Sequence, residues 1–196
     1  MADIKSALEI ALEKAEKLEG ATEGERLKWK YTPEGERLAA RCLKEDCNLA
    51  AELSQYQGEA RKYVTEGAAA ILARYITLPR NDFAKKNNRK AMDNLKIVKS
   101  DKARVENVYS RMRQLFTHYT TQGEQQRKQT YQALKAQFEA KFQEAAQQQV
   151  GKFGGMKIEV ESQPQFQQEW RRLLTQMDAQ YNGLLEEHKR ELLRIP

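Results

Sequence analysis

The chain has 196 residues, of which 32% are charged and 8% aromatic, and it carries a formal net charge of +6. This composition suits amphipathic helices with wide polar faces better than a compact globule with a large core. The longest uncharged apolar run, residues 67–73, is far shorter than the roughly 20 residues that cross a bilayer. Acidic residues interrupt the N-terminal segment, where a secretory signal needs an unbroken apolar core. The sequence therefore predicts an all-α, cytoplasmic protein without a transmembrane segment.

The first helical pattern covers residues 3–18, where apolar residues recur at intervals of three and four. Gly20 follows it, and glycine is a typical residue just after a helix end. The next segment, near residues 26–31, alternates apolar and basic residues, which is the period of a strand. We therefore predict a short strand whose apolar face is formed by Leu27, Trp29 and Tyr31.

A second helical pattern follows Thr32 and Pro33, which are a typical N-cap and first helical residue. Apolar residues then continue at helical intervals, with bends expected near residues 46–48 and at Gly58 or Gly67. One bent helix and two separate helices both fit this pattern.

The two cysteines, Cys42 and Cys47, are five residues apart within this pattern. Side chains at that spacing on one helix point in different directions, so they cannot form a disulfide unless the helix unwinds. Reduced thiols are therefore expected. A zinc site would need two more ligands, and the histidines, His118 and His188, lie on other segments. We predict no metal and no other cofactor.

Most of the positive charge is concentrated in residues 80–113, which contain eleven lysines and arginines but only four acidic residues. Such a segment can neutralise the phosphates of a nucleic acid, although a run of charge is more often the solvated face of a helix. The residues expected to contact phosphate are Lys85, Lys86, Arg89, Lys90, Lys96 and Lys99.

Two long helical patterns flank a glycine-bearing segment at residues 150–164. They predict an antiparallel, coiled-coil-like helical hairpin over residues 101–196, which follows an N-terminal helical region over residues 1–100. The apolar residues that we expect to line the contact between the two arms, here called the hairpin seam, are Leu134, Phe138, Phe142, Trp170, Met177 and Tyr181.

The register of the predicted hairpin follows from counting turns along both arms. It places Phe138 opposite Met177 and Leu134 opposite Tyr181.

The glycine-bearing tip at residues 150–164 raises the question of whether it is a phosphate loop or a turn. A phosphate loop follows a strand and carries Gly-Lys-Ser or Gly-Lys-Thr, and this segment has neither feature. The glycines predict a turn, and the alternation after them predicts a short strand. Its apolar residues are expected to pair with the strand near residues 26–31, within one chain or between two, as a minor two-stranded β element. These residues are Met156, Ile158 and Val160.

The sequence carries no signature of a known catalytic site. The Glu-x-x-His motif of di-iron helix bundles is absent, because leucines stand three residues before His118 and His188. We therefore expect a non-enzymatic scaffold or adaptor that forms a homo-oligomer, most simply a dimer, or binds another helical protein. Nucleic-acid binding through residues 80–113 is the alternative.

Overall fold

The structure is a computed structural model that describes residues 20–45, 47–148 and 159–196. These residues form helices and their connections, which confirms the predicted all-α class, and none of them lies in a β-strand. In chain order the elements are α1 (Glu23–Lys44), α2 (Leu49–Ser54), α3 (Gly58–Tyr75), α4 (Asp82–Val98), α5 (Lys102–Thr120), α6 (Gln122–Gln148), a 3₁₀ turn (Val160–Ser162) and α7 (Pro164–Arg194).

Helix α1 covers the segment near residues 26–31, so the strand predicted there is wrong. The helix begins with a capping box, in which the Thr22 hydroxyl accepts from the Glu25 N–H and the Glu25 carboxylate accepts from the Thr22 N–H. This arrangement pairs two N–H groups that a helix start otherwise leaves free. Leu27 and Tyr31 lie one turn apart on a half-buried helix face, whereas Trp29 is 46% exposed. The alternation is too short to outweigh a well-capped helix.

The second predicted strand is not supported either. Val160 lies in the 3₁₀ turn, where it is buried against side chains of α6 and α7. Met156 and Ile158 lie outside the described residues. The two-stranded β element is therefore not part of the fold that the structure describes.

The predicted helix start at Thr32 and Pro33 is also wrong, because α1 runs through both residues. Proline lacks the N–H group that would donate to the carbonyl one turn earlier, and in a helix interior it costs about 3 kcal/mol. Tight packing of α1 against α3 offsets this cost.

The break after α1 brings the two cysteines together. Helix α1 ends at Lys44 because the backbone of Glu45 is extended, close to the predicted bend at residues 46–48. Cys47 therefore lies beyond the helix, and it forms a disulfide with the buried Cys42, with their Cα atoms 4.9 Å apart. The expectation of reduced thiols is wrong, because it assumed that both cysteines lay on one continuous helix.

The chain forms two compact units. The first contains the described residues up to Ile76 together with Lys86–Val105 and Leu192–Pro196. The second contains Thr77–Lys85 and Glu106–Glu191. The predicted division into an N-terminal region and a C-terminal hairpin stays a prediction.

The first unit depends on two glycines that bring α1 and α3 into backbone contact. A Cβ atom at Gly35 would lie 2.0 Å from the Val64 carbonyl oxygen, and one at Gly67 would lie 2.2 Å from the Thr32 carbonyl oxygen. These distances are far shorter than van der Waals contacts, so only glycine fits at either position. Residue numbers fall along α3 as they rise along α1, and the two helices are therefore antiparallel. The side chains buried on these helices and on α2 include Leu38, Ala39, Cys42, Leu49, Leu53, Val64, Ala68 and Leu72.

In the second unit, α6 and α7 contact each other in opposite directions along the chain. The rings of Tyr131 and Trp170 lie edge to face with centroids 5.0 Å apart. Further along α6, the ring of Phe138 meets that of Phe166 in the same manner at 5.5 Å. The residues brought together at the centre of this contact are Leu134, Val160 and Phe166, which are buried, and Tyr131, Phe138, Phe142, Trp170 and Leu173, which are partly buried.

The register of this contact differs from the predicted one. The Met177 sulfur lies 3.8 Å from the Thr130 hydroxyl, about two turns of α6 before Phe138. Tyr181 contacts the Tyr119 ring, at a centroid distance of 5.1 Å, rather than Leu134. The described end of the connection between the helices, from Glu159 onwards, lies against α6, where Glu161 accepts from the Tyr131 hydroxyl and the Lys135 ammonium.

Helix α7 is the longest element described, with 31 residues. Its buried residues lie on one side, and most of its other residues are exposed. No helix in the described part of the chain has both the length and the apolar character required to span a membrane.

The close backbone contact at Gly35 predicts that a single added methyl group destabilises the protein strongly. We expect Gly35→Ala to lower the free energy of unfolding by about 2–3 kcal/mol, because the methyl group would overlap backbone atoms of α3. Urea denaturation followed by circular dichroism measures this change.

Gly24→Ala in the same helix is the matched control. A Cβ atom there makes an ordinary contact, 3.6 Å from the Tyr63 hydroxyl, so we expect a change of less than about 1 kcal/mol. Equal stabilities of the Gly35→Ala and Gly24→Ala proteins would contradict the close helix contact.

Candidate functional site

The first candidate surface is the basic segment, whose cations the structure places in different surroundings. Lys85, Lys86 and Arg89 are exposed on α4. The Lys85 ammonium lies 2.9 Å from the Asp82 carboxylate, one turn earlier on the same helix. Lys86 and Arg89 therefore remain as exposed cations of α4 that can contact the phosphates of a nucleic acid.

The other predicted phosphate contacts are less accessible. Lys96 is half-buried, and so is Lys90, whose ammonium donates to the Glu45 carbonyl at 3.2 Å, just beyond the end of α1. Lys99 is 7% exposed and donates to the carbonyls of Leu193 and Ile195 at 3.1 and 2.5 Å. Burial lowers the pKa of the Lys99 ammonium, although the negative charge of Glu66 opposes this effect. Lys99 therefore caps the C-terminal end of α7 within the first unit.

The second candidate surface is the hairpin seam. All six predicted seam residues lie on α6 or α7, but Tyr181 packs on Tyr119 of α5, and only Leu134 is buried. The remaining five are partly exposed. They are Phe138, Phe142, Trp170, Met177 and Tyr181. The contact between α6 and α7 thus leaves part of the surface of these apolar side chains exposed to water.

A third candidate, which the sequence analysis did not identify, is a buried ion pair in the second unit. The Arg80 guanidinium donates to the Asp178 carboxylate at 2.6 Å. The Asp178 side chain is only 8% exposed, whereas that of Arg80 is 61% exposed. The carboxylate therefore fixes one edge of a guanidinium group that is largely exposed to solvent.

Tyr119 is at the centre of this cluster, and it is 3% exposed. Its hydroxyl lies beside the charged groups of Arg80 and Asp178. The Arg127 guanidinium lies over the Tyr119 ring, 4.2 Å from the centroid, and donates to the Tyr119 carbonyl at 3.0 Å. The ring of Tyr181 packs edge to face against the same tyrosine. These contacts hold Tyr119 in a single orientation.

The chain makes room for this packing with a glycine. A Cβ atom at Gly123 would lie 2.9 Å from the Tyr181 hydroxyl and 3.2 Å from Arg127 Nη1. The Tyr181 hydroxyl lies 2.9 Å from Nδ1 of His118, which completes a chain of polar contacts between α5 and α7. Two buried polar atoms of the cluster, Asp178 Oδ1 and Arg127 Nη1, have no hydrogen-bond partner.

The surroundings shift two pKa values in the cluster. Burial raises the pKa of the Tyr119 hydroxyl, the charge of Asp178 raises it further, and that of Arg127 lowers it in part. Burial acts to lower the pKa of Arg80, but the Asp178 carboxylate and the Tyr119 hydroxyl outweigh it, so the pKa of Arg80 is raised. Tyr119 is therefore neutral and Arg80 charged in any physiological solution.

The cluster offers charge recognition and hydrogen bonding. Among the side chains that the structure describes, no three histidine, cysteine or acidic residues are grouped so that they could hold a metal ion. The sequence did contain one sign of the cluster. Asp178 lies between Leu174 and Tyr181 at helical spacing, so it occupies the apolar side of α7, where an acidic residue indicates a buried partner. That partner is 98 positions away, and only the fold identifies it.

The raised pKa of Tyr119 predicts a dependence of stability on pH. Its contribution is complete below about pH 10, the ordinary pKa of tyrosine, and is lost as the pH rises through the higher folded value. Between about pH 9 and about pH 11, the free energy of unfolding should fall more for the unmodified protein than for Tyr119→Phe. Urea denaturation at each pH measures both. Tyr75→Phe, at a 38% exposed position, should follow the unmodified protein, and equal losses in all three proteins would contradict the prediction.

Comparison with known proteins identifies a family without assigning an activity. No curated protein matches the chain, and no solved structure matches it. One family model matches residues 50–194, from the second residue of α2 to the last residue of α7. The match includes the Tyr119 cluster and the hairpin seam but not α1. Because it covers well over half of the sequence, the chain belongs to the family of unknown function DUF6657.

Proposed function

We propose that this protein is a non-enzymatic helical scaffold or adaptor. It acts through self-association, as a homodimer, and through helix-mediated binding of a protein partner. The binding element is the antiparallel, coiled-coil-like hairpin of α6 and α7, and no cofactor takes part.

One line of side chains on α7 supports this proposal. Leu173, Met177 and Leu184 are spaced by four and seven residues, so they lie on one side of the helix. Leu173 and Met177 are partly buried against α6, whereas Leu184 is 48% exposed. The apolar line thus ends at a side chain in contact with water, although another side of α7 stays buried as far as Leu192. Burying the exposed half of one leucine contributes roughly 1 kcal/mol, which favours a second helix along this line.

The proposed location is the cytoplasm, as the sequence indicates. The Cys42–Cys47 disulfide is an argument against this location, because disulfides are rare in the cytosol. The scaffold proposal itself does not depend on it.

Leu184→Glu tests self-association. We expect the unmodified protein to sediment as a dimer, and we expect this substitution to weaken the dimer at least tenfold, because it would bury a carboxylate beside apolar side chains. Analytical ultracentrifugation over a range of concentrations measures the dissociation constant.

Leu193→Glu is the matched control, since Leu193 is 42% exposed on the same helix but lies off the line. It should leave the dimer intact. An unmodified protein that remains monomeric at all concentrations, or equal weakening by both substitutions, would argue against the proposal.

Nucleic-acid binding through residues 80–113 stays the second candidate, and the exposure of Lys86 and Arg89 on α4 favours it. Together these two residues could neutralise about two phosphates, which corresponds to a slope of about −2 in a plot of log affinity against log salt. Lys99 cannot contribute while its ammonium is bonded to the end of α7.

Fluorescence anisotropy with labelled single- and double-stranded DNA and RNA tests this candidate. The double substitution of Lys86→Glu and Arg89→Glu should weaken binding and reduce the salt slope by about two. Lys28→Glu with Lys30→Glu, at exposed positions of α1, is the control for net charge. If no nucleic acid binds at low salt, or if both double variants bind equally well, the basic segment is an ordinary solvated surface.

A further inference from the structure

The Tyr119 cluster forms one wall of a cleft of about 730 Å³ in the second unit. The size lies within the range of sites that bind small molecules. Two carboxylates, those of Glu124 and Asp178, also line it, together with the hydroxyls of Thr120 and Thr175. The cationic residues that line the cleft are Arg80, Lys85, Arg127 and Arg171.

Contacts within the protein orient the guanidinium groups that line the cleft. Arg80 is fixed by the buried Asp178, and Arg127 is fixed by the ring and the carbonyl of Tyr119. Arg171 is exposed, and its Nε donates to the Gln167 carbonyl one turn earlier at 3.2 Å, which leaves both terminal nitrogens for a ligand. Planar guanidinium groups held in this way bind phosphate oxygens with little loss of side-chain freedom.

The acidic residues of the cleft restrict the class of anion. Glu124 is about half exposed, and its carboxylate lies 2.8 Å from Lys128, which keeps it in place. A polyanion that ran along the whole cleft would pass the exposed carboxylate of Glu124, whose charge opposes its binding. A small molecule with one phosphate and several hydroxyl groups suits both the cationic and the acidic residues of the cleft, since its phosphate can accept from the cations and its hydroxyls can donate to carboxylate oxygens.

We propose that this cleft binds a small phosphorylated polyol, such as a sugar phosphate. The phosphate group contacts Arg171 and the exposed edge of Arg80. The hydroxyl groups donate to Glu124. The residues that line the cleft are not residues of the hairpin seam, so the protein can bind such a ligand whether or not it forms a dimer.

Isothermal titration calorimetry with three probes tests the site. Ribose 5-phosphate should bind about tenfold more tightly than inorganic phosphate, because only the sugar phosphate also uses Glu124, and ribose alone should give no detectable heat. Arg171→Gln should weaken the binding of ribose 5-phosphate about tenfold. Glu124→Gln should weaken the binding of ribose 5-phosphate but not that of inorganic phosphate.

Arg172→Gln is the matched control. Arg172 follows Arg171 in the sequence, does not line the cleft and is paired with Glu169 at 2.6 Å. Its substitution should leave the affinity for ribose 5-phosphate unchanged, and circular dichroism should show that every variant is folded. The proposal is overturned if neither phosphate compound binds at millimolar concentration, or if Arg171→Gln and Arg172→Gln weaken binding equally. Tighter binding of single-stranded DNA than of ribose 5-phosphate, lost in Arg171→Gln, would also overturn it in favour of a nucleic-acid site.

Discussion

A carboxylate on the apolar side of α7 requires a cation, and the pairing of Asp178 with Arg80 organises the second unit. Removing a carboxylate from water without a partner costs several kcal/mol, so the contact of 2.6 Å selects one arrangement of segments far apart in sequence. Tyr119 packs beside the pair, and Arg127 packs on the tyrosine ring. Arg80 and Arg127, two of the cations that line the neighbouring cleft, are thereby held at defined positions before any ligand arrives.

The first unit depends on a different constraint, the close approach of two backbones. Gly35 and Gly67 allow α1 and α3 to touch through main-chain atoms, and the buried side chains around them are mostly small or aliphatic. Such contacts gain dispersion energy over many atom pairs, although each pair contributes little. This packing explains why α1 tolerates Pro33 in its interior.

The helical class and the apolar side of α7 could be predicted from the sequence, because periodicity over many residues averages out local exceptions. The start of α1 could not, since six alternating residues imitate a strand while the capping box depends on only two side chains. The disulfide required knowledge of where α1 ends. The register of α6 and α7 depended on long-range contacts such as that of Met177 with Thr130, and the candidate cleft depended on a pair separated by 98 positions. Sequence periodicity carries no information on either.

The contact of Lys99 with the carbonyls of Leu193 and Ile195 joins two segments of the first unit that lie on either side of the second unit in the sequence. The first unit is interrupted in sequence by Glu106–Glu191 and is completed only by Leu192–Pro196. During synthesis, α1 and α3 can pair early, while Lys99 must wait until the last residues of the unit emerge. The free-energy cost of closing so long a loop falls when the inserted segment is already compact. Folding of the second unit therefore lowers the free-energy cost of completing the first, and the parts of the protein can assemble in the order in which they are synthesised.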